Sequence, residues 1–553
     1  MTVRLTGRRA FLQLLVDEGI THLFGNPGTT ELAIMEAVPD FPQLKYVLGL
    51  QEAIVVGMAD GFARASNRLT ACNLHCMPGL GHAMGALYSA KFSGSPIIVT
   101  AGQYEIGYGL QEPLLYEPLV PVAQPLVKWA IEVPRIDDLP RIVHRAAKIA
   151  TTPPTGPVFI SLPGSILDDE AELDLGLPTR VEARVRPSDA VLRALAERLL
   201  LARRPVIIAG RELAHRDAFA EACQLAELLG AAVYQEPVPY NARFPAEHRA
   251  NMGDLTRDQK KVRETLSQYD LLLCLGADLL RMSPYSRTDP LPDRMPVVHL
   301  TERDWELGKN YATELAIRAD VKETLLALLP MLKRMRSAEQ ASEAARRLDA
   351  LAARTWSAQR DACRRSVQDT APADPRYVAM SLAAVLPGDA IVVEEAVSSA
   401  AALSTFLPMN HADSFYGLAS GGLGFAMAGA VGVSLAKPGR PVVATVGDGS
   451  AMYTIQALWT AAHLNLPITY VIFNNRGYRI IKQRLVANRG SERFVGMDLK
   501  EPQIDFVGIA RAFGMAAQRV DDPRSLEPRL EAAIASGVPN LVEVMVDDGF
   551  GNM

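Results

Sequence analysis

The chain has 553 residues, more than one hydrophobic core spans, so roughly two to four domains are expected. Apolar residues make up 49% and charged residues 22%, the balance of a globular enzyme rather than of a disordered chain. A formal net charge of −5 argues against nucleic acid as the main partner, and no apolar run is long enough to cross a bilayer.

The opening stretch, MTVRLTGRRAFLQLLVDEGI, starts basic but continues as a charged amphipathic helix without a small-residue cleavage site. It reads as the first helix of a domain, not as a signal peptide. β-rich apolar runs follow at THLFG, KYVLGL, LTACNLH, SPIIVTAG and GPVFISLP, with helical patterns between them, and predict a doubly wound parallel sheet over residues 1–165. The polar stretch LDDEAELDLGLPTRVEARVRPSD carries no core pattern and reads as a linker near residues 165–188. The alternation returns over residues 186–335 in RPVIIAG, AAVYQEP, YDLLLCLGAD and MPVVHLT. A charged helical connector from about Ala338 to Gln368 leads to a third block over residues 370–546, with AIVVEEA, PVVATVGDGS, ITYVIFNN and NLVEVMV as its strands. The expected fold class is α/β, with three consecutive doubly wound parallel-sheet domains and no short-period repeat.

The five cysteines are scattered, as expected of reduced thiols in a cytoplasm. Cys72 and Cys76 have a C-x3-C spacing, but no second ligand pair follows, which argues against zinc. The histidines are spread singly.

Two features carry chemistry. Glu52 stands between an apolar strand-like run and a small-residue helix pattern, in YVLGLQEAIVVGMADGFARA. A charge at such a junction is costly unless it is paired or needed. It either stabilises a helix N-terminus through the dipole or serves a reaction. The second feature is VVATVGDGSAMYTIQALWTAAHLNLPITYVIFNNRGY, Val442 to Tyr478, two strands joined by a helix. Ligands of open parallel sheets sit at the carboxyl ends of the strands, which brings Asp448 and Asn475 together. One carboxylate oxygen, one amide oxygen and a backbone carbonyl just beyond, at Gly477, suit Mg²⁺, which fills its shell with water and phosphate oxygens. Gly449 and Ser450 open the helix whose amides can take phosphates. The plain alternative is a glycine-rich strand-end turn.

GDG followed by NN at this spacing resembles the diphosphate site of thiamine diphosphate-dependent enzymes. FGNPGTTEL, LQEA, NLHCMPGLGHAMGAL, PLVKW, ASGGLGFAMAGAVGV and GDGSAMY resemble the benzoylformate decarboxylase group within that family. The resemblance implies a pyrimidine-binding domain, a middle domain and a diphosphate-binding domain, with thiamine diphosphate and Mg²⁺ as cofactors. It implies non-oxidative decarboxylation of a 2-oxo acid through a C2 carbanion–enamine, with Glu52 hydrogen-bonding the aminopyrimidine to help form the ylid. Leu423 would prop the cofactor in its bent shape, and the Gly421 carbonyl would accept from the aminopyrimidine. Tyr478 and Gly477 would complete the cofactor-binding segment. GGLGFAMAG lacks the last glycine of a dinucleotide fingerprint, having Met427 there. In this family the glutamate reaches a cofactor held by another subunit, so at least a homodimer, and a homotetramer by common family habit, is implied.

At the reacting end, His75 matches the group's active-site histidine, and Thr29 falls where the group has a serine contacting the substrate carboxylate. Read without the resemblance, His75 is a strand-end structural residue and Thr29 a helix cap. The departures concern the pocket. Ser283 falls where the group has a second histidine, and Gly417 and Arg484 fall where it has phenylalanines, while Ile480 and Ile481 keep an apolar wall. The run NNRGYRIIKQRLVANRGSER is either a solvated basic face or a source of guanidinium for an anionic group of the substrate. A 2-oxo acid larger or more polar than benzoylformate is the expected substrate. Without the second histidine, an aldehyde could react before product release, so a carboligase or lyase acting on 2-hydroxy ketones, similar to acetolactate synthase, is the alternative. The middle domain shows no dinucleotide fingerprint, which argues against FAD. A nucleotide-binding dehydrogenase would leave Glu52 unexplained. A silent homologue would have no use for Glu52, Asp448 and Asn475 together.

Overall fold

Each of the three alternating blocks forms a six-stranded sheet in which every pairing is parallel. The computed structural model describes residues 2–283 and 285–549. In the first sheet the spatial order is Lys45–Leu48, His22–Gly25, Thr70–Leu74, Ile97–Gln103, Val158–Pro163 and Ala130–Glu132. The second sheet runs Asn251–Asp254, Ala232–Gln235, Pro205–Ala209, Leu271–Leu275, Val297–Thr301 and Leu315–Arg318. The third runs Phe415–Gly417, Ile391–Glu395, Val442–Gly447, Ile468–Asn474, Asn540–Met545 and Ala516–Val520. Helices cover both faces of a parallel sheet, which is why the central strands are continuous apolar runs without polar alternation. Short edge strands such as Ala130–Glu132 and Phe415–Gly417 have no such run and escape detection by pattern.

The two ends of the first block depart from expectation. Thr2–Thr6 is a strand, and the first helix starts only at Gly7. The segment read as a linker begins with a short helix, Gly164–Asp168, and a strand, Glu170–Asp174, that pairs antiparallel with Thr2–Thr6. Leu173 anchors this strand, at 2% exposure. Its partner lies more than 160 positions away, so no local pattern announces the pairing.

The first and third domains meet at a crossing of the helices Glu52–Ser66 and Phe425–Ala436. Backbone touches backbone there. A Cβ on Gly61 would lie 2.2 Å from the Gly429 carbonyl oxygen, and one on Gly432 would lie 2.0 Å from that of Met58. The close approach lets Ile54, Val55 and Met58 share one apolar core with Ala426, Met427 and Ala430. The middle domain is tied in by Arg64, which is buried in this helix. Its guanidinium donates to the Gly417 carbonyl at 3.0 Å and to the Tyr240 carbonyl, and it lies over the Phe425 ring. Among the described residues, no helix is long and apolar enough to cross a membrane.

Candidate active site

The strands Val442–Gly447 and Ile468–Asn474 lie side by side, with Gly447 opposite Phe473, so their carboxyl ends open onto the same edge. Asp448 and Asn475 follow there, 3% and 4% exposed. The Gly477 amide donates to both, at 3.1 Å to Asp448 Oδ2 and 3.1 Å to Asn475 Oδ1. Gly449 N–H donates to Asp448 Oδ1 at 2.8 Å. Burial pushes the Asp448 carboxyl up to about 6, although the amides of Gly449, Gly477 and Arg476 favour its charge. No lysine or arginine pairs with it among the described residues. A buried carboxylate beside an amide oxygen, with no counter-ion, is the donor set a small hard divalent cation takes. No group of three or more His, Cys, Asp or Glu side chains fit for a metal occurs among the described residues, and Cys72 and Cys76 are free buried thiols.

The helix expected to start at Gly449 comes in two pieces. Asp448–Ala451 is a single turn, and Ala457–His463 follows after a break. Ser450 is buried, and Gly449 lies against the Tyr478 ring, where a Cβ would come within 2.6 Å.

Glu52 begins its helix but does not cap it. Gln51 does, its side-chain oxygen accepting from the amides of Ala53 at 2.7 Å and Ile54 at 3.3 Å. The Glu52 carboxylate is thereby left for other partners. Oε1 accepts from Asn26 Nδ2 at 3.0 Å, and Oε2 lies 3.0 Å from His82 Nδ1. Gly79, one turn into the helix Cys76–Ser93, borders both Glu52 and His75. A Cβ there would stand 3.4 Å from Glu52 Cγ and 3.5 Å from His75 Cβ.

His75 caps the strand Thr70–Leu74 and precedes that helix. Its Nδ1 lies 2.9 Å from Glu31 Oε2 and 3.1 Å from Thr30 Oγ1. Glu31 is fully buried and also accepts from the amides of Gly28 at 2.9 Å and Gly102 at 3.0 Å. Gly28 packs on the imidazole, and a Cβ there would come within 2.2 Å of Nδ1. The hydroxyl brought to His75 is thus that of Thr30. Thr29 is exposed without a side-chain hydrogen bond, and it does not cap the helix Leu32–Ala37.

The remaining expected residues lie on several elements. Gly421, at φ +81°, and half-buried Leu423 lie in the loop before Phe425–Ala436, whose first amides are taken by buried Glu395: Gly424 N–H and Ala426 N–H each donate at 2.6 Å. Gly417 is pressed on the middle domain, where a Cβ would lie 2.0 Å from the Pro239 carbonyl oxygen. The Pro239 backbone therefore fills the space of a side chain at 417. Ser283 is exposed in an irregular loop. Ile480 is half-buried and Ile481 is 49% exposed on the helix Arg479–Arg489. That basic run divides: Arg479 donates to the Asp547 carbonyl at 3.1 Å and Lys482 pairs with Asp498 at 2.6 Å, whereas Arg484 is exposed and makes no ion pair among the described residues. Burial depresses the pKa of Arg257, with the like charge of Arg484 acting in the same direction.

Asn26, Thr30, Glu31, His82 and Glu395 escape sequence reasoning. The one visible signal was the position of His82, seven residues after His75, which on a helix is about two turns along the same face.

Three parallel-sheet domains, with Glu31 and Glu52 at the sheet edge of the first and Asp448 beside Asn475 at that of the third, define a three-domain α/β protein with polar groups gathered where parallel sheets take their ligands. Family models described as the N-terminal TPP binding domain, central domain and C-terminal TPP binding domain of thiamine pyrophosphate enzymes match residues 5–114, 192–328 and 396–544. The chain belongs to the thiamine pyrophosphate enzyme family. It is 34% identical to a benzoylformate decarboxylase of Pseudomonas aeruginosa, over 98% of each chain. A solved structure of the thiamine diphosphate-dependent 4-hydroxybenzoylformate decarboxylase of Rhodococcus jostii RHA1 is similar, with a TM-score of 0.87 and 32% identity, over 98% of this chain and 99% of that one. The acetolactate synthase isozyme 3 large subunit of Escherichia coli is 26% identical over 98% of this chain and 95% of its own length.

Proposed function

We propose that the enzyme decarboxylates a 2-oxo acid with thiamine diphosphate and Mg²⁺. The observation that carries this reading is the pair of preorganised acid sites: Asp448 with Asn475 on one amide, and Glu52 turned away from helix capping. Asp448, Asn475 and the Gly477 carbonyl would hold Mg²⁺. Gly449, Ser450 and Tyr478 would line the diphosphate, and Leu423 and the Gly421 carbonyl would hold the aminopyrimidine. When bound, thiamine diphosphate supplies the electron sink for carbon–carbon cleavage. Glu52 would hold or release a proton at its carboxylate toward the pyrimidine ring. His75 moves protons near the substrate carboxylate, and Thr29 contacts that carboxylate.

Ser283, Gly417, Ile480, Ile481 and Arg484 bound the substrate pocket. Arg484, exposed and without an ion pair among the described residues, supports a substrate with an anionic or strongly polar distal group.

Among the described residues, the Glu52 and Asp448 clusters share no hydrogen bond or ion pair. Leu50, Met452 and Tyr453, next to them in sequence, are 40%, 41% and 57% exposed. Both observations support a homodimer at least, and a homotetramer as its assembly, with each site completed by a second copy. The unpaired thiols suit the cytoplasm.

One observation favours a second reading. The loop around Ser283 offers no histidine for product release, which supports carboligation with an aldehyde to a 2-hydroxy ketone.

The test is CO₂ release by apo-protein from a panel of 2-oxo acids, with and without thiamine diphosphate and Mg²⁺. The panel includes pyruvate, benzoylformate and acids with a second anionic group. Cofactor-dependent release from at least one acid supports the reading. No release, with 2-hydroxy ketone cleavage instead, overturns it in favour of the carboligase.

A further inference from the structure

Two carboxylates at the carboxyl edge of the first sheet, Glu31 and Glu52, each meet an imidazole from one segment. Glu31 meets Nδ1 of His75, and Glu52 meets Nδ1 of His82. The second pair is the less expected one. The His82 side chain is 61% exposed, so packing does not dictate its position, whereas the Glu52 side chain it reaches is only 10% exposed. Asn26 already donates to the other carboxylate oxygen. A carboxylate with one donor on each oxygen is fixed in plane and orientation, and its remaining lone pairs point in set directions.

From this geometry we infer that His82 is a positioning residue for the cofactor chemistry, acting through Glu52 by donating Nδ1–H to Oε2. The inference rests on the reading that Glu52 serves the aminopyrimidine. Because Oε2 is an acceptor, the ring carries its proton on Nδ1, and an asparagine amide placed there offers an equivalent donor. Removing the donor frees one side of the carboxylate to rotate, so the proton it shares with the cofactor is presented less often in the productive direction.

The experiment uses the full-length protein with thiamine diphosphate and Mg²⁺, in His82→Ala, His82→Asn and Glu52→Gln variants. Three quantities are read: the dissociation constant of the cofactor, the rate at which its C2 proton exchanges with D₂O, and the Tm of the apo-protein. His82→Ala is expected to slow exchange roughly tenfold or more, the range of a lost hydrogen bond to a charged group, with the Tm unchanged. His82→Asn is expected to restore exchange to within about threefold of the parent. Glu52→Gln abolishes exchange if the underlying reading is right, and wild-type exchange in that variant sinks the reading itself. Parent-like exchange in His82→Ala, or no recovery in His82→Asn, overturns the role of His82 while leaving Glu52 standing.

Discussion

Asp448 and Asn475, 27 positions apart, accept hydrogen bonds from the same Gly477 amide, each at 3.1 Å. One N–H shared between two buried oxygens ties the carboxylate to the amide at one place. Asp448→Asn removes the only negative charge of the set. It is expected to weaken Mg²⁺-dependent cofactor binding at least tenfold, while Tm without cofactor stays level or rises, because an uncompensated buried charge is gone. Titration of thiamine diphosphate at several Mg²⁺ concentrations checks this.

Glu31 is placed by the glycines around it. A Cβ on Gly102 would stand 2.1 Å from Glu31 Oε1. Gly102→Ala is therefore expected to push Glu31 aside and release His75, lowering kcat roughly 10- to 100-fold with a smaller effect on KM. Glu31→Gln keeps the shape but not the charge, and steady-state kinetics of both variants against pH would separate position from charge. Unchanged kcat in both would remove Glu31 from the reacting end.

The basic helix yields a specificity prediction. Among the described residues Arg484 makes no ion pair, whereas on the same helix Lys482 pairs with Asp498 and Arg479 donates to the Asp547 carbonyl. Arg484→Leu is expected to lower kcat/KM for anionic or polar 2-oxo acids at least tenfold and to improve it for apolar ones. If the order of preference over the acid panel did not move, the anionic subsite would be wrong.

Glu394 sets a pH dependence of stability. Burial raises its pKa from 4.5 to about 7, against the pull of the Ala396 amide, Arg257 and Arg243. The folded state thus holds a proton that the unfolded chain has already lost above 4.5. Stability falls as pH rises from about 4.5 to about 7 and is level beyond, a loss of about 3 kcal/mol from this group. Glu394→Gln is expected to leave Tm near its parent value at pH 5 and to raise it at pH 8. Parallel Tm curves for parent and variant would refute the assignment.

The crossing of the first and third domains has no room. Gly432→Ala places a methyl 2.0 Å from the Met58 carbonyl oxygen and is expected to cost about 1–3 kcal/mol. Gly85→Ala, in the helix Cys76–Ser93 with nothing within 4 Å, is expected to be neutral or stabilising by about 0.5–1 kcal/mol. Thermal unfolding of the two variants side by side makes the comparison.

The central strands, and the residues that end them, were legible because a strand buried on both faces must be apolar, and a ligand edge must interrupt it with glycine and acid. Val442–Gly447 followed by Asp448, and Ile468–Asn474 followed by Asn475, are the clearest cases. The strand Glu170–Asp174 was not legible, since half its pattern is polar and its partner is Thr2–Thr6 at the far end of the domain. Thr29 and Thr30 are chemically alike in sequence, and only the turn at Thr29–Glu31 decides which hydroxyl meets His75.

By itself, then, the order of residues determined three parallel sheets, the positions of Glu52, Asp448 and Asn475 at strand ends, and the family to which such positions belong. The sheets and the strand-end positions follow from local periodicity and from the rule that ligands gather at strand carboxyl ends, whereas the family rests on the resemblance of short motifs such as GDG followed by NN. The tertiary structure decided the partners: Asn26 and His82 on Glu52, Glu31 and Thr30 on His75, Glu395 on the Phe425–Ala436 helix, and the Pro239 backbone in place of a side chain at Gly417. A hydrogen bond acts over about 3 Å in space and has no fixed reach along the chain, so partners from different elements leave no periodic trace.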